Sequence, residues 1–260
     1  MPTIGTRDVL EAMGRGDLME YHRRHYHASR LIVAAAGRIE HDALLEALSA
    51  IDWPQTGEAV ARPAAEMTGG IQMLPRAGEQ AHLVMSYPGM AAASADRPVA
   101  WLANQMLGGG MSSRLFREVR EKLGLAYSVA SCLSSVSDTG TWTIGCSTDP
   151  ARLVECAKVV RRTLAQFRHD LSAGEIERGK RQLEVQFRMA MDSVEGNMLN
   201  LGARFDDAEV LPQSAWVSRI RDVTMDQLQM WIEAHLSAPC LQTFSAPEAV
   251  LARAEGDLQA

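Results

Sequence analysis

Two hydrophobic periods alternate along the 260 residues and divide the chain into helices and strands. From Asp17 to His27 the pattern is helical. LIVAAAG, residues 31–37, is instead a continuous apolar run ended by Gly37, which predicts a buried strand. HDALLEALSAI, residues 41–51, returns leucines at helical spacing. Prolines and glycines then erase the periodicity over 52–70, a stretch that reads as a linker.

Beyond it, AHLVMSYPG (81–89) reads as a strand stopped by Pro88-Gly89, and residues 96–107 as an apolar helix ended by glycines. A further helix is expected over 112–123, with Ser112 as its N-cap. AYSVASCLSS and GTWTIGCST alternate with period two and predict paired strands joined by a turn near Ser137-Asp138. Asp149-Pro150 supply a cap and a first-turn proline to the next helix. Its apolar positions Leu153, Cys156, Ala157, Val160, Leu164 and Phe167 share one face. Ser172 with Glu175, and Thr224 with Gln227, have capping-box spacing. Helical segments are predicted around 173–192 and 194–208, then a helix to Leu236 and a strand over Leu241–Ser245.

The end of the chain repeats its beginning. DLMEYHRRHYHASRLIVAAAG from Asp17 aligns without a gap on QLQMWIEAHLSAPCLQTFSAP from Gln227. Leu18 meets Leu228, His25 meets His235, Ala28 meets Ala238, Leu31 meets Leu241 and Ala36 meets Ala246, while Tyr21 faces Trp231. Both copies read helix, polar turn, strand in the same phase, the pattern expected of an internal duplication. On that reading the first unit is the tail of one copy, and residues 71–247 are a nearly whole second copy.

Composition narrows the class. Apolar residues at 47% and charged residues at 22% are an ordinary globular balance, and the net charge of −6 argues against a nucleic-acid-binding domain. None of the four cysteines forms a CxxC pair, which removes zinc-ribbon and thioredoxin readings. Cys132 and Cys146 lie on two predicted neighbouring strands and could face each other, although buried free thiols are the commoner state. No apolar run approaches the ~18 residues of a membrane span. The opening MPTIGTRDVLEAM lacks the charged and apolar regions of a signal peptide. The compartment stays open; a bacterial origin would allow cytoplasm or periplasm.

The chemistry concentrates in LGGGMSSRLFREVREKLGLAYSV, residues 107–129. Its glycines follow a helix and no lysine adjoins the serines, so it is not a phosphate loop; a flexible turn between two helices is the plainer reading. Arg120 falls in the last turn of a predicted helix, Gly124 suits a left-handed cap, and Tyr127 starts a strand, where it would share a face with Val129 and Ser131. A guanidinium and a phenol so placed can donate hydrogen bonds to a peptide carbonyl and to a developing oxyanion. From spacing alone, an arginine at a helix C-terminus also has a purely structural use. His22 and His25 share a helix face, but no third ligand is placed to make a zinc site. No nucleophile or general base is nominated anywhere in the chain.

GGGMSSRLFREVREKLGLAYSV resembles the second-half signature of the pitrilysin-type zinc metallopeptidases, the inverzincins, which include mitochondrial processing peptidase. IGTRDVLEAMGRGDLMEYHRRHYHASRLIVAAAGRIEHDAL resembles the end of that family's first half. The resemblance implies an α+β fold, a mostly antiparallel sheet layered with helices, as one half of a duplicated, clamshell-type peptidase. It implies residues 1–51 as the tail of the first half, 52–70 as linker, 71–247 as the substrate-clamping second half and 248–260 as a C-terminal tail. The family's zinc and general base belong to an HxxEH motif that this sequence lacks. The implied cofactor is therefore zinc in the complete enzyme and none in this chain, which alone should be inactive. Arg120 and Tyr127 would reach into that site beside the scissile bond. Gly108, Gly109, Gly110, Ser112 and Ser113 would form a rim that contacts substrate. The implied partners are an unfolded peptide and a complementary HxxEH-bearing half or subunit, with self-association through the exposed half-interface as a further possibility. The alternative is a non-catalytic scaffold subunit of a two-subunit processing peptidase.

Overall fold

The computed structural model describes residues 4–53, 65–203 and 211–259. Helices α1 (Arg7–Ala12), α2 (Arg15–His25) and α3 (His41–Ser49) come first. Strands β1 (Gly70–Pro75) and β2 (Ala81–Pro88) follow, then α4 (Arg97–Gly108), a π-helical segment (Phe116–Lys122), β3 (Ala126–Ser135) and β4 (Gly140–Thr148). The remainder is α5 (Leu153–Phe167), α6 (Ala173–Ala190), α7 (Val194–Gly202), α8 (Gln213–Arg221), α9 (Met225–Leu236), β5 (Leu241–Ala246) and α10 (Glu248–Gln259). The chain forms two compact units: Met1–Pro63 with Asp192–Phe205, and Ala64–Met191 with Asp206–Ala260.

The larger unit is built on one five-stranded sheet in the order β1-β5-β2-β4-β3. β1 runs parallel to β5, and every other pair is antiparallel. Strict alternation in β2 and β4 gives the sheet two different faces. Leu83, Met85, Trp142, Ile144 and Phe244 project to one face and are fully buried. They join one core with Leu102 and Leu107 of α4, Leu153, Val160 and Phe167 of α5, Ile232 of α9 and Leu258 of α10. Each such side chain contributes about 1.5–3 kcal/mol on burial. The other face, with His82, Val84, Ser86, Thr143, Gly145 and Ser147, is only half-buried. The fold is thus the α+β arrangement expected, helices layered on a mostly antiparallel sheet. Glu248–Gln259, in the stretch set apart as a tail, form α10 with Leu251, Ala254 and Leu258 buried.

Most local signals in the sequence act as expected. The Asp149 carboxylate accepts from the Ala151 amide at 2.7 Å, and Thr224 with Gln227 closes a reciprocal capping box. Ser172 caps α6 by accepting from the Glu175 amide, but Glu175 does not return the bond. Its carboxylate is committed to Arg114, which takes both oxygens at 2.7 and 2.6 Å. Ser112 is not the N-cap expected of it: the Ser113 carbonyl accepts from the Arg117 amide, and Ser112 instead receives the Gln182 side-chain amide at 2.6 Å. Cys132 and Cys146 do not face each other, since Cys132 pairs with Thr143 and Cys146 with Val129. Cys132 is exposed whereas Cys146 is buried.

In the smaller unit α2 and α3 form where the period predicts them. The strand expected over LIVAAAG does not form, and Leu31, Ile32 and Val33 are 43%, 48% and 46% exposed. An extended segment becomes a strand only by pairing, and among the described residues this unit contains no strand to pair with. Its counterpart in the repeat, β5, lies between β1 and β2 and is paired on both sides. The helical part of the repeat is visible in the side chains. The Tyr21 and His25 rings stand 4.3 Å apart, as the Trp231 and His235 rings stand 3.8 Å apart. The environments differ: Leu228 and Trp231 are buried, whereas Leu18 and Tyr21 are 57% and 59% exposed. The middle of the predicted linker, 54–64, and residues 204–208 of a predicted helix lie outside the described residues.

Candidate functional site

The half-buried face of the sheet carries a concavity of about 380 Å³. His82, Val84, Ser128, Ala130 and Ser147 line its floor, and Phe116 and Arg120 its wall. Arg120 reaches it from the π-helical segment, whose wider turn re-aims the side chains that follow it. Gly124, at φ +55°, then turns the chain into β3. The turn is pinned by the Leu125 amide on Val119 O at 2.8 Å, by Arg152 on Gly124 O at 2.8 Å and by the Thr148 hydroxyl on Leu125 O at 2.5 Å.

Tyr127 departs from the alternation expected of it. Ala126 pairs with Thr148 and Ser128 with Ser147, so Tyr127 is the extra residue of a β-bulge. Val129 and Ser131 face the core while Tyr127 is 79% exposed. A regular strand would have shared one face among the three; the bulge frees the phenol to meet Arg120. The Arg120 guanidinium carbon lies 4.9 Å from the Phe116 ring centre and 5.4 Å from that of Tyr127. Both are cation–π distances. Among the described residues neither the Arg120 guanidinium nor the Tyr127 hydroxyl has a hydrogen-bond partner. The rings hold the cation in place and leave its donors unspent. Sequence reading missed Phe116, although its placement four residues before Arg120 on a helical stretch was a usable signal.

The glycine–serine loop sits elsewhere. None of Gly108, Gly109, Gly110, Ser112 or Ser113 lines the concavity. Their φ values are not positive, so conformational freedom is not why glycine is there. A Cβ on Gly108 would lie 2.3 Å from the Ser131 amide nitrogen, and one on Gly109 would lie 2.7 Å from the Gln105 Cα. Glycine lets the end of α4 touch β3. Ser113 is 2% exposed, and its hydroxyl is without a partner. The arginine that follows, Arg114, clamps this loop to α6 through Glu175 and also bonds Asp170.

Among the described residues no group of three or more His, Cys, Asp or Glu side chains is disposed to hold a metal ion, and His22 with His25 gains no third ligand. The described residues therefore do not fit a zinc ion. Among the described residues no helix is long and apolar enough to cross a membrane.

Comparison with known proteins identifies the family and the fold. Residues 12–183 match the family model described as the peptidase M16 inactive domain. An uncharacterized zinc protease of Streptomyces coelicolor is 31% identical over 242 residues, covering 88% of this chain and 52% of that protein. The uncharacterized zinc protease YmxG of Bacillus subtilis is 29% identical over 77% of this chain and 50% of its own length. The chain thus spans about half the length of the curated relatives it matches. A crystal structure of a peptidase M16 inactive domain from Pseudomonas fluorescens superposes with TM-score 0.83 at 22% identity, covering 95% of this chain and 61% of that one. A protease from Helicobacter pylori gives 0.82 at 16% identity, covering 94% and 62%.

Proposed function

Because this chain belongs to the peptidase M16 family and carries its inactive domain, we propose that it is the substrate-clamping half of a zinc endopeptidase that acts on unfolded peptides. Its job is to present Arg120 and Tyr127 to a scissile bond held against an HxxEH-bearing half. The chain corresponds to the domain that performs no hydrolysis itself. Zinc, in the complete enzyme, supplies the activated water on the other half.

The observation that carries the reading is the pair of unspent donors at one place. Arg120, on the wall of an open concavity, and Tyr127, stacked against it, are both exposed and, among the described residues, free of protein hydrogen bonds. The guanidinium offers fixed donors to backbone carbonyls of an extended peptide. The phenol offers one more to the oxygen that gains charge as the carbonyl becomes tetrahedral. The polar row of half-buried His82 and Ser147 with exposed Ser128 gives the peptide a polar floor instead of an apolar trap. Gly108–Ser113 serve by packing, setting α4 and Arg114 against β3 and α6. A scaffold subunit would have no use for two uncommitted donors beside a cleft, and their presence favours the clamping role.

The test is reconstitution. The chain should hydrolyse no fluorogenic peptide alone, and should do so when mixed with zinc and a separately expressed HxxEH-bearing half from a zinc protease of this family. Activity unchanged in the Arg120→Ala, Tyr127→Phe double variant of that mixture would refute the role given to the pair.

A further inference from the structure

Two thiols that the clamping role does not use lie against each other in the core of the larger unit. Cys146 of β4 and Cys156 of α5 bring their sulfurs to 3.0 Å, about 1 Å beyond a disulfide bond of about 2.0 Å. Cys146 is 4% exposed and Cys156 is fully buried. The other two cysteines are apart from them: Cys132 is exposed on β3, and Cys240 stands beside Tyr87. We infer that Cys146 and Cys156 are a redox site, two thiols preset to close a reversible disulfide between β4 and α5 when a small hydroperoxide oxidant reaches them.

The surroundings favour this over two inert core thiols. The two thiols share one hydrogen bond, and this contact pulls the Cys156 thiol below the usual range against the opposing effect of burial. The Arg152 guanidinium pulls the same way, while the Glu155 carboxylate opposes it. The same contact, together with burial, pushes Cys146 up. One sulfur is thus readied as the thiolate nucleophile, and the other waits within bonding reach as the resolving thiol.

The chemistry closes with hydrogen peroxide as oxidant. The Cys156 thiolate attacks one peroxide oxygen, the O–O bond breaks, and the departing hydroxide takes up the proton lost from Cys156 and leaves as water. Cys156 is then a sulfenic acid. The Cys146 sulfur attacks the Cys156 sulfur, the S–O bond breaks, and the hydroxide leaves as a second water with the Cys146 proton. Two electrons pass from the sulfurs to peroxide, and a dithiol reductant returns them.

The location gives the bond a consequence. Thr148 and Arg152, which adjoin the sulfurs, are the residues that hold the Leu123–Leu125 turn between Arg120 and Tyr127. The cross-link would tighten the sheet and helix directly beneath that turn.

Peptide mapping tests the proposal. Trypsin separates Cys156, in 153–158, from Cys146, in 123–152, which also contains Cys132. The folded chain carrying Cys132→Ser, a change at an exposed site, is treated with equimolar hydrogen peroxide, then unfolded, alkylated and digested. The expected product is the two peptides joined, with a loss of about 2 Da, reversed by dithiothreitol. Oxidised wild-type chain should give the same linkage, located by fragmentation, without any substitution. In Cys156→Ala the loss should vanish. Full alkylation of both thiols after peroxide treatment, sulfinic acid at either one, or a 2 Da loss that survives Cys156→Ala would each overturn it.

Discussion

Arg120 and Tyr127 stand face to face, the guanidinium carbon 5.4 Å from the centre of the phenol ring, although one leaves a helix and the other belongs to a strand. The contact depends on two local irregularities, a π-helical turn before Gly124 and a β-bulge after it. Neither side chain is buried or hydrogen-bonded within the described residues, so removing either should disturb function far more than folding. In a complete two-half enzyme, Arg120→Ala or Tyr127→Phe should lower turnover by roughly 10²–10³, the scale of losing one oxyanion donor. Thermal unfolding of the isolated chain should be unchanged within error. Steady-state peptide hydrolysis and a melting curve measure the two; a loss under twofold in both variants would remove the pair from the mechanism.

Gly108 and Gly110 are two residues of one loop with opposite tolerance. An alanine methyl at Gly108 would collide with the Ser131 backbone at 2.3 Å, whereas at Gly110 its nearest neighbour is the Gln105 side-chain nitrogen at 3.5 Å. Gly108→Ala should cost at least about 2 kcal/mol, as over-packed sites do. Gly110→Ala should fall within about 0.5 kcal/mol of the parent. Urea unfolding of the two variants decides between packing and conformational freedom as the reason for the glycines.

Arg114 is an ion-pair anchor largely withdrawn from solvent, with a side chain 14% exposed against Glu175 at 16%. Arg114→Ala leaves that carboxylate without its two-pronged partner and should destabilise by about 2–3 kcal/mol, below the range for wholly buried pairs because both groups retain some solvent. Arg114→Lys keeps the charge but not the fork and should fall between alanine and parent. Denaturant midpoints would show the order; equal stability of lysine and arginine would mean the fork contributes nothing.

His235 stacks on Trp231, and its Nδ1 lies 2.8 Å from the Trp231 carbonyl. Burial holds its pKa below the ordinary value of 6.5, outweighing the Trp231 carbonyl and the more distant Asp96, which act to raise it. The unfolded chain therefore takes up a proton at His235 before the folded one does. Stability should fall as pH drops below about 6.5 and level off once the folded histidine also titrates. Melting temperatures across pH 7.5 to 5 should carry this slope in the parent and lose His235's share of it in His235→Phe.

What was legible in the sequence was whatever depends on near neighbours in the chain. Asp149, Ser172 and Thr224 cap helices because a cap needs only a side chain and an amide two or three residues on. The larger sheet's alternating strands showed through because the pleat imposes period two on any strand buried on one face. The Arg120–Tyr127 juxtaposition was readable from a spacing of seven, but Tyr127's direction was not, because a bulge exists only relative to the opposite strand.

The sequence by itself determined the helices, the paired strands β3 and β4, the internal repeat and the family signature that points to a half without its own zinc motif. Tertiary structure alone decided that β5 lies between β1 and β2, that Cys146 meets Cys156 instead of Cys132, and that LIVAAAG stays unpaired. The physical reason is the same in each case. A helix satisfies its own backbone, so its residues suffice to specify it; a strand, a bulge or a thiol pair is defined by a partner distant in sequence. Two segments that share a pattern, one paired on both sides and the other on neither, therefore end as a core strand and an exposed chain.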